Sequence, residues 1–387
     1  MSLVDLNDST EQAEFRAGLR AWLRERLPEP APDGTPGDPA ALRDWTKQVH
    51  AAGYAGLTWP VAYGGRGLSP VHQGIFAEEC ALAGAPDQLN VIGLNMVGPT
   101  LIRYGTPAQQ ERHLAAILAG EHVFCQGFSE PEAGSDLAAV RTAARRVPGG
   151  FVVDGEKLWS SYAPLADHCL LLARTGPDGP RHRGLTCFLL DMRAPGVTVR
   201  PLRQLNGAAE FGQILLAGVR VGDDCVVGEV DAGWAVAMTT LAHERGTFGI
   251  TLNARLSVQF DRLLATVRAT GHADDPLVRD EVAQLHVEVQ ALRWTGYRAL
   301  TGLQRTGEPG PESAVLKLHW SHVHQRVCDL AVRLLGERAA LDGADAYWAG
   351  YWQGQLLRSR GNTIEGGTSE ILRGLIAERV AGLPRWR

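Results

Sequence analysis

Apolar residues recur at helical spacing through the first third of the chain, gather into short strand-length runs through the middle, and return to helical spacing until the end. In STEQAEFRAGLRAWLRERL, Phe15, Leu19, Trp22 and Leu23 lie on one helical stripe, and Ser9 with Gln12 is placed as a capping box. The Pro/Gly-rich stretch PEPAPDGTPGDP predicts a surface loop before a helix starting near Pro39. Further helical patterns are broken at TWPVAYGGRGLSP and at Gly105-Thr106-Pro107. From Val123, FVVDGEKLWSS, HCLLLART, LTCFLLDM, GVTVRPL and FGQILLAGVRV read as strands separated by Gly, Pro and Asp turns. After Gly233 come three long helical stretches joined by short breaks, which most simply pack antiparallel as a bundle. The fold class is therefore α+β: an N-terminal α-helical domain over 1–122, a middle β domain over 123–230 and a C-terminal helical bundle over 231–387.

A chain of 387 residues has room for several subdomains and a large buried site. With 38 basic against 43 acidic side chains, a net charge of -5 and no long run of either sign, it lacks the footprint of a nucleic-acid binder. Small molecules are the expected partners. The N-terminal stretch MSLVDLNDSTEQAEF is acidic and lacks a signal-peptide pattern, and no segment approaches the ~18 apolar residues of a membrane span, so a soluble cytoplasmic protein is expected. Six scattered cysteines without a C-x-x-C pair read as buried free thiols.

Two stretches suggest chemistry. In CQGFSEPEAGSDLA, residues 125 to 138, hydroxyls and glycines stand where backbone could approach a ligand and hold phosphate oxygens; alone, Gly-Ser-Asp is equally an ordinary turn. In GEKLWSSYAPLADHCLLLART, Trp159 and Ser161 are two apart and would share one face of a strand, suited to a planar heteroaromatic group or simply to a half-buried core. The histidines of HWSHVH, His319, His322 and His324, do not share one helix face and lack a completing ligand, so no metal is expected there or elsewhere.

Taken together, EPEAGSD, then W-S-S, then a strand-rich segment, then L-A-H-E-R-G, then I-E-G-G-T-S-E-I resemble the acyl-CoA dehydrogenase family across nearly the whole chain. The resemblance implies an N-terminal helical domain, a middle β-barrel or sandwich domain and a C-terminal four-helix bundle that together hold FAD. It implies that Ser129 lies near the flavin ring with the backbone of Gly127 and Phe128, and that Ser135 reaches the pyrophosphate. Trp159 is implied beside the ring, Ser161 near N5, and Thr368 and Glu370 as the C-terminal T-x-[QE] contacts to FAD.

The family reaction takes an α-proton from an acyl thioester with a carboxylate while the β-hydride passes to flavin N5, giving a 2-enoyl product. In the family's common motif I-Y-E-G-T the carboxylate immediately precedes Gly-Thr. Here the stretch is Ile364-Glu365-Gly366-Gly367-Thr368, which leaves Gly366 in that place and Glu365 one residue out of register. Some members, including the isovaleryl and long-chain branches, carry the base on the first helix of the C-terminal domain instead. Glu244 of LAHERGTFG matches that position, with Arg245 ordering the substrate end of the pocket. W-S-S-Y-A-P-L-A-D and G-G-T-S-E resemble an actinobacterial branch that includes steroid side-chain dehydrogenases, which suggests a bulky or branched acyl group.

Implied partners are an acyl-CoA or acyl-carrier-protein substrate, electron-transferring flavoprotein and further subunits, as a dimer or tetramer. Two departures bear on those subunits. The family's R-x-x-F-G has only Arg268 as a partial substitute in ATVRATGHADDP, and its Q-x-x-G-G-x-G appears as Arg333-Leu334-Leu335-Gly336-Glu337-Arg338-Ala339. A homomeric dehydrogenase, a dehydrogenase or oxidase acting on a carrier-bound acyl group, and a structural subunit of a heteromeric complex all remain open on these residues.

Overall fold

A computed structural model describes residues 8–27, 38–176, 181–307, 310–341 and 343–384, with backbone only for 244–250. The Pro/Gly-rich stretch after the first helix falls almost wholly outside these residues.

Helix α1 (Thr10–Arg26) opens with the expected capping box: Ser9 accepts from the Gln12 backbone, and the Gln12 side chain returns the contact. α2 (Pro39–Ala51), α3 (Pro70–Ala83), α4 (Gly98–Tyr104) and α5 (Pro107–Ala119) follow, all four with proline in the first turn, where its missing N–H costs nothing. The break between α4 and α5 is the anticipated Gly105-Thr106-Pro107, with Thr106 and Gln109 forming a second capping box.

Eight strands come next: β1 (Phe124–Gly127), β2 (Ala143–Val147), β3 (Gly150–Ser161), β4 (His168–Arg174), β5 (Leu185–Asp191), β6 (Val197–Leu202), β7 (Phe211–Gly222) and β8 (Val226–Val227). They pair in the order β6-β7-β3-β2-β4-β5-β8, with β1 parallel to β4. The unbroken apolar runs of β4 and β5 have a physical reason, because both of their faces are covered. Leu170, Leu172, Leu185 and Leu189 join Leu101, Leu114 and Ile117 of the helical layer in one core. The alternating residues Cys169, Leu171, Phe188 and Leu190 share a second core with Val153, Ile214 and Val219 of β3 and β7.

The C-terminal region is built from α6 (Gly233–Ala269), α7 (Pro276–Thr306), α8 (Glu312–Leu335), α9 (Tyr351–Asn362) and α10 (Ser369–Arg379). Leu256 and Leu263 of α6, Leu285 and Leu292 of α7, Val327 and Leu330 of α8 and Trp352 of α9 form its core.

The chain divides into two compact units. One comprises residues 37–67 and 87–244 and contains the whole sheet; the other comprises 1–36, 68–86 and 245–387. In the latter, α1 and α3 pack beside the C-terminal helices. Arg16 pairs with Glu78 and Glu79 at 2.7 and 2.6 Å, Arg20 with Glu79 at 2.6 Å, and Glu78 also accepts from Tyr297 of α7 at 3.2 Å. Among the described residues no helix is long and apolar enough to cross a membrane.

Candidate active site

In the sheet-containing unit the motif residues gather where β1 ends against β3. Phe128 is buried, Ser129 half-buried, and the Leu158 N–H donates to the Ser129 carbonyl at 2.9 Å. Gly127 lets β1 pack closely on β4: a Cβ there would lie 2.8 Å from Cys169 Sγ and 3.2 Å from Leu171. Glu130 and Ala133 exchange backbone hydrogen bonds at 3.1 Å, so EPEA is a tight turn, and Gly134, Ser135 and Asp136 are exposed after it.

A buried ion pair anchors this turn. Lys157, fully buried on β3, donates from Nζ to the Phe128 carbonyl at 3.1 Å and to Glu130 Oε1 at 2.7 Å. The Glu130 carboxylate also accepts from the Arg141 and Thr142 N–H groups at 2.6 and 2.9 Å. Burial works to raise the Glu130 pKa, but the Lys157 charge and these hydrogen bonds outweigh it and hold the carboxyl below its ordinary value.

Trp159 departs from the expected even alternation. Lys157 faces Ile214 and Ser160 faces Gly212, so two residues of β3 stand opposite one of β7, and Trp159 takes φ +61° at this bulge. A bulky residue in left-handed conformation is a genuine outlier. Trp159 is 57% exposed, with Phe211 edge-on to its ring at 6.1 Å, whereas the next residue, Ser160, is buried and Ser161 half-buried. Backbone strain spent on holding a large flat ring at the surface points to a function for that ring.

Sequence reasoning missed Gln126. Its Nε2 and the Ser160 Oγ are buried polar atoms with no hydrogen-bond partner among the described residues. Buried donors of this kind are rarely left without a partner. An unpaired amide donor on β1, just before the Phe128–Ser129 backbone, fits a planar cofactor rich in acceptors such as flavin. The only sequence signal for Gln126 was a polar residue inside an otherwise apolar strand.

In the helical unit, α9 leads through Thr363–Thr368 into α10. Thr368 caps α10, its Oγ1 accepting from the Ile371 N–H at 3.3 Å. Glu370 sits fully exposed in the first turn; its own backbone N–H and the Thr368 hydroxyl hold its carboxyl below the usual range. Glu365 is committed elsewhere, with Oε2 2.8 Å from Arg358 Nη2. Gly366 and Gly367 have φ of +60° and +101°, and Lys317 of α8 donates to the Gly367 carbonyl at 2.6 Å. Gly366→Ala is expected to cost about 1–2 kcal/mol, because an L side chain is disfavoured at that φ, and denaturant unfolding would read the loss. An unchanged midpoint would mean the loop relaxes to negative φ.

Glu244 and Arg245 lie on the backbone of α6, and their side chains are outside the described residues. His324 meets Asn362 Nδ2 at 2.6 Å and stacks on Trp320, while His322 meets Ser369 Oγ at 3.4 Å, so these two histidines serve different loops.

Three comparisons bear on this geometry. Sequence models of the acyl-CoA dehydrogenase N-terminal, middle and C-terminal domains match residues 9–121, 125–217 and 231–381. The chain is 40% identical to acyl-CoA dehydrogenase IpdE1 of Mycolicibacterium smegmatis, over 97% of this chain and 98% of the relative, and 39% identical to IpdE1 of Mycobacterium tuberculosis, over 96% and 98%. Among solved structures, the Tcur3481-Tcur3483 steroid ACAD superposes with a TM-score of 0.89 at 31% identity, covering 99% of this chain and 100% of that one. The ChsE4-ChsE5 complex from Mycobacterium tuberculosis gives 0.87 at 28% identity, with coverage of 99% and 100%.

Proposed function

Since the chain belongs to the acyl-CoA dehydrogenase family and has its three-part fold, an FAD-dependent oxidoreductase, we propose that it introduces an α,β double bond into a bulky, steroid-derived acyl-CoA. The observation that carries this reading is the replacement of the usual base by a left-handed glycine, Gly366, while Glu244 stands on α6. When bound, FAD supplies the acceptor for the β-hydride. The chain's own residues do the rest.

Glu244 takes the α-proton, and Arg245 helps order the substrate end of the pocket. Adjacent helix positions do not face each other, so Arg245 need not neutralise its neighbour. Phe128, Ser129, Trp159 and Ser161 hold the flavin ring, Ser135 the pyrophosphate, and Thr368 and Glu370 complete the cofactor contacts. Gln126 supplies a further donor from β1.

The acyl class is supported by the resemblance of W-S-S-Y-A-P-L-A-D and by the 31% identity to the Tcur3481-Tcur3483 steroid ACAD. Electrons then pass to electron-transferring flavoprotein. A non-identical partner subunit is proposed as well. Two solved relatives carry two-protein titles, and Arg333, which stands where the family has glutamine, is engaged with Glu281 of α7 inside this chain.

Anaerobic titration of the flavin-loaded protein, alone and with a co-expressed partner chain, against steroid side-chain, branched and straight-chain acyl-CoAs tests the proposal. Loss of oxidised flavin absorbance with the steroid thioester, at lower concentration than with straight chains, is the expected result. Preference for a short straight chain would overturn the acyl class. Bleaching by no CoA thioester would overturn the reaction.

A further inference from the structure

Outside the flavin region, three imidazoles from separate chain segments meet in the sheet-containing unit: His113 on α5, His122 in the turn after it and His168 at the start of β4. Their candidate ligand nitrogens all lie within 4.8 Å of one another. We propose that His113, His122 and His168 form a divalent transition-metal site, best matched by Zn²⁺ with water as the fourth ligand, which ties α5 and its following turn to β4.

The spacing is the main argument. With Zn–N about 2.1 Å, tetrahedral geometry sets donor nitrogens about 3.4 Å apart, and imidazole centres about 5 Å apart. His113 Nδ1 and His122 Nδ1 are 3.1 Å apart. The three ring centroids are separated by 5.1, 5.0 and 4.7 Å. The widest nitrogen pair therefore has to close by little more than an ångström, within reach of side-chain rotation. A hydrogen bond accounts for one nitrogen pair, and the third ring, His168, also packs on Phe124 at 5.2 Å.

The protonation states suit a ligand set, which must be neutral. Burial, with help from neighbouring positive groups, lowers His113 to about 3 and His168 to about 4, and burial lowers His122 as well. The charge around the rings is mixed. Arg112 opposes a cation, while Asp167, Glu121 and Asp191 favour one. Asp167 is fixed in place by the Val123 N–H at 3.1 Å and by Arg193 at 2.6 Å. Three imidazoles suit Zn²⁺, Cu²⁺ or Ni²⁺ rather than Mg²⁺ or Ca²⁺, and Zn²⁺ tolerates a tetrahedral site with one open position.

The test uses the full-length, FAD-loaded protein without an affinity tag, stripped with a chelator and returned to chelator-free buffer. Calorimetric titration with Zn²⁺ is expected to show one ion per chain, and added Zn²⁺ to raise the unfolding midpoint. His122→Ala and His168→Ala are each expected to weaken binding by about 100-fold or more and to abolish the midpoint shift, while the flavin spectrum shows that they still fold. Should either variant fail to fold, Co²⁺ added to the wild type decides, with tetrahedral visible absorption supporting the site and its absence overturning it. No stoichiometric Zn²⁺ binding by the wild type, or unchanged binding by both variants, overturns the proposal.

Discussion

Glu244→Gln is expected to slow flavin reduction by acyl-CoA about 10²–10⁴-fold, the usual contribution of a positioned general base, without loss of bound FAD. Stopped-flow reduction at saturating thioester reads this directly. Glu365→Gln is the matched control and is expected to stay within about threefold of wild type. The control rests on geometry, because the Glu365 carboxylate is 2.8 Å from Arg358 on the preceding helix. Gly366, in the place where the family most often carries its base, has φ +60° and no side chain to offer. If Glu365→Gln loses the reaction while Glu244→Gln keeps it, the base is the C-terminal glutamate and the register argument fails.

Lys157→Met should cost about 3–5 kcal/mol of stability, the typical penalty for removing one partner of a buried ion pair. The side chains of Lys157 and Glu130 are 0% and 8% exposed, so without Lys157 the buried carboxylate keeps only the Arg141 and Thr142 N–H groups and no countercharge. That turn carries Ser129, and flavin retention on dilution should fall together with stability. Lys157→Met combined with Glu130→Leu removes both charges and should recover much of the loss. A single-variant cost below about 1 kcal/mol would show that the pair is not the anchor. There is also a pH signature. The Glu130 carboxyl is held below its ordinary value of 4.5, so the unfolded chain binds its proton first as pH falls. The stabilisation is complete above that value and is lost as pH drops through the lower, folded pKa, which acid unfolding of wild type against the double variant would reveal.

The helical period and the strand-length runs made most of the fold legible. The segments FVVDGEKLWSS, HCLLLART, LTCFLLDM, GVTVRPL and FGQILLAGVRV coincide with β3 to β7 within a residue or two. β2 escaped because AARRV is mostly exposed and shows no apolar run, and β8 because it is two residues long. The order of four motifs pointed to the cofactor and the family, but local geometry was out of reach. Strict alternation could not reveal a bulge that puts Trp159 at positive φ, since bulges depend on the register with β7. A lysine in a strand ordinarily reads as solvent-facing, and the burial of Lys157 depends on a carboxylate 27 residues away. His113 and His168 carry no shared motif, and only the packing of α5 beside β4 brings them together.

The way the chain is shared between its two compact units also sets an order of manufacture. The sheet-containing unit has all its residues once position 244 has left the ribosome. The other unit does not: α1 and α3 emerge early, yet Glu78 waits for Tyr297 and Arg293 of α7, and the core of α6 to α9 waits for Trp352. A nascent chain halted before α7 therefore carries every residue of the sheet unit and two early helices whose later neighbour has not been made.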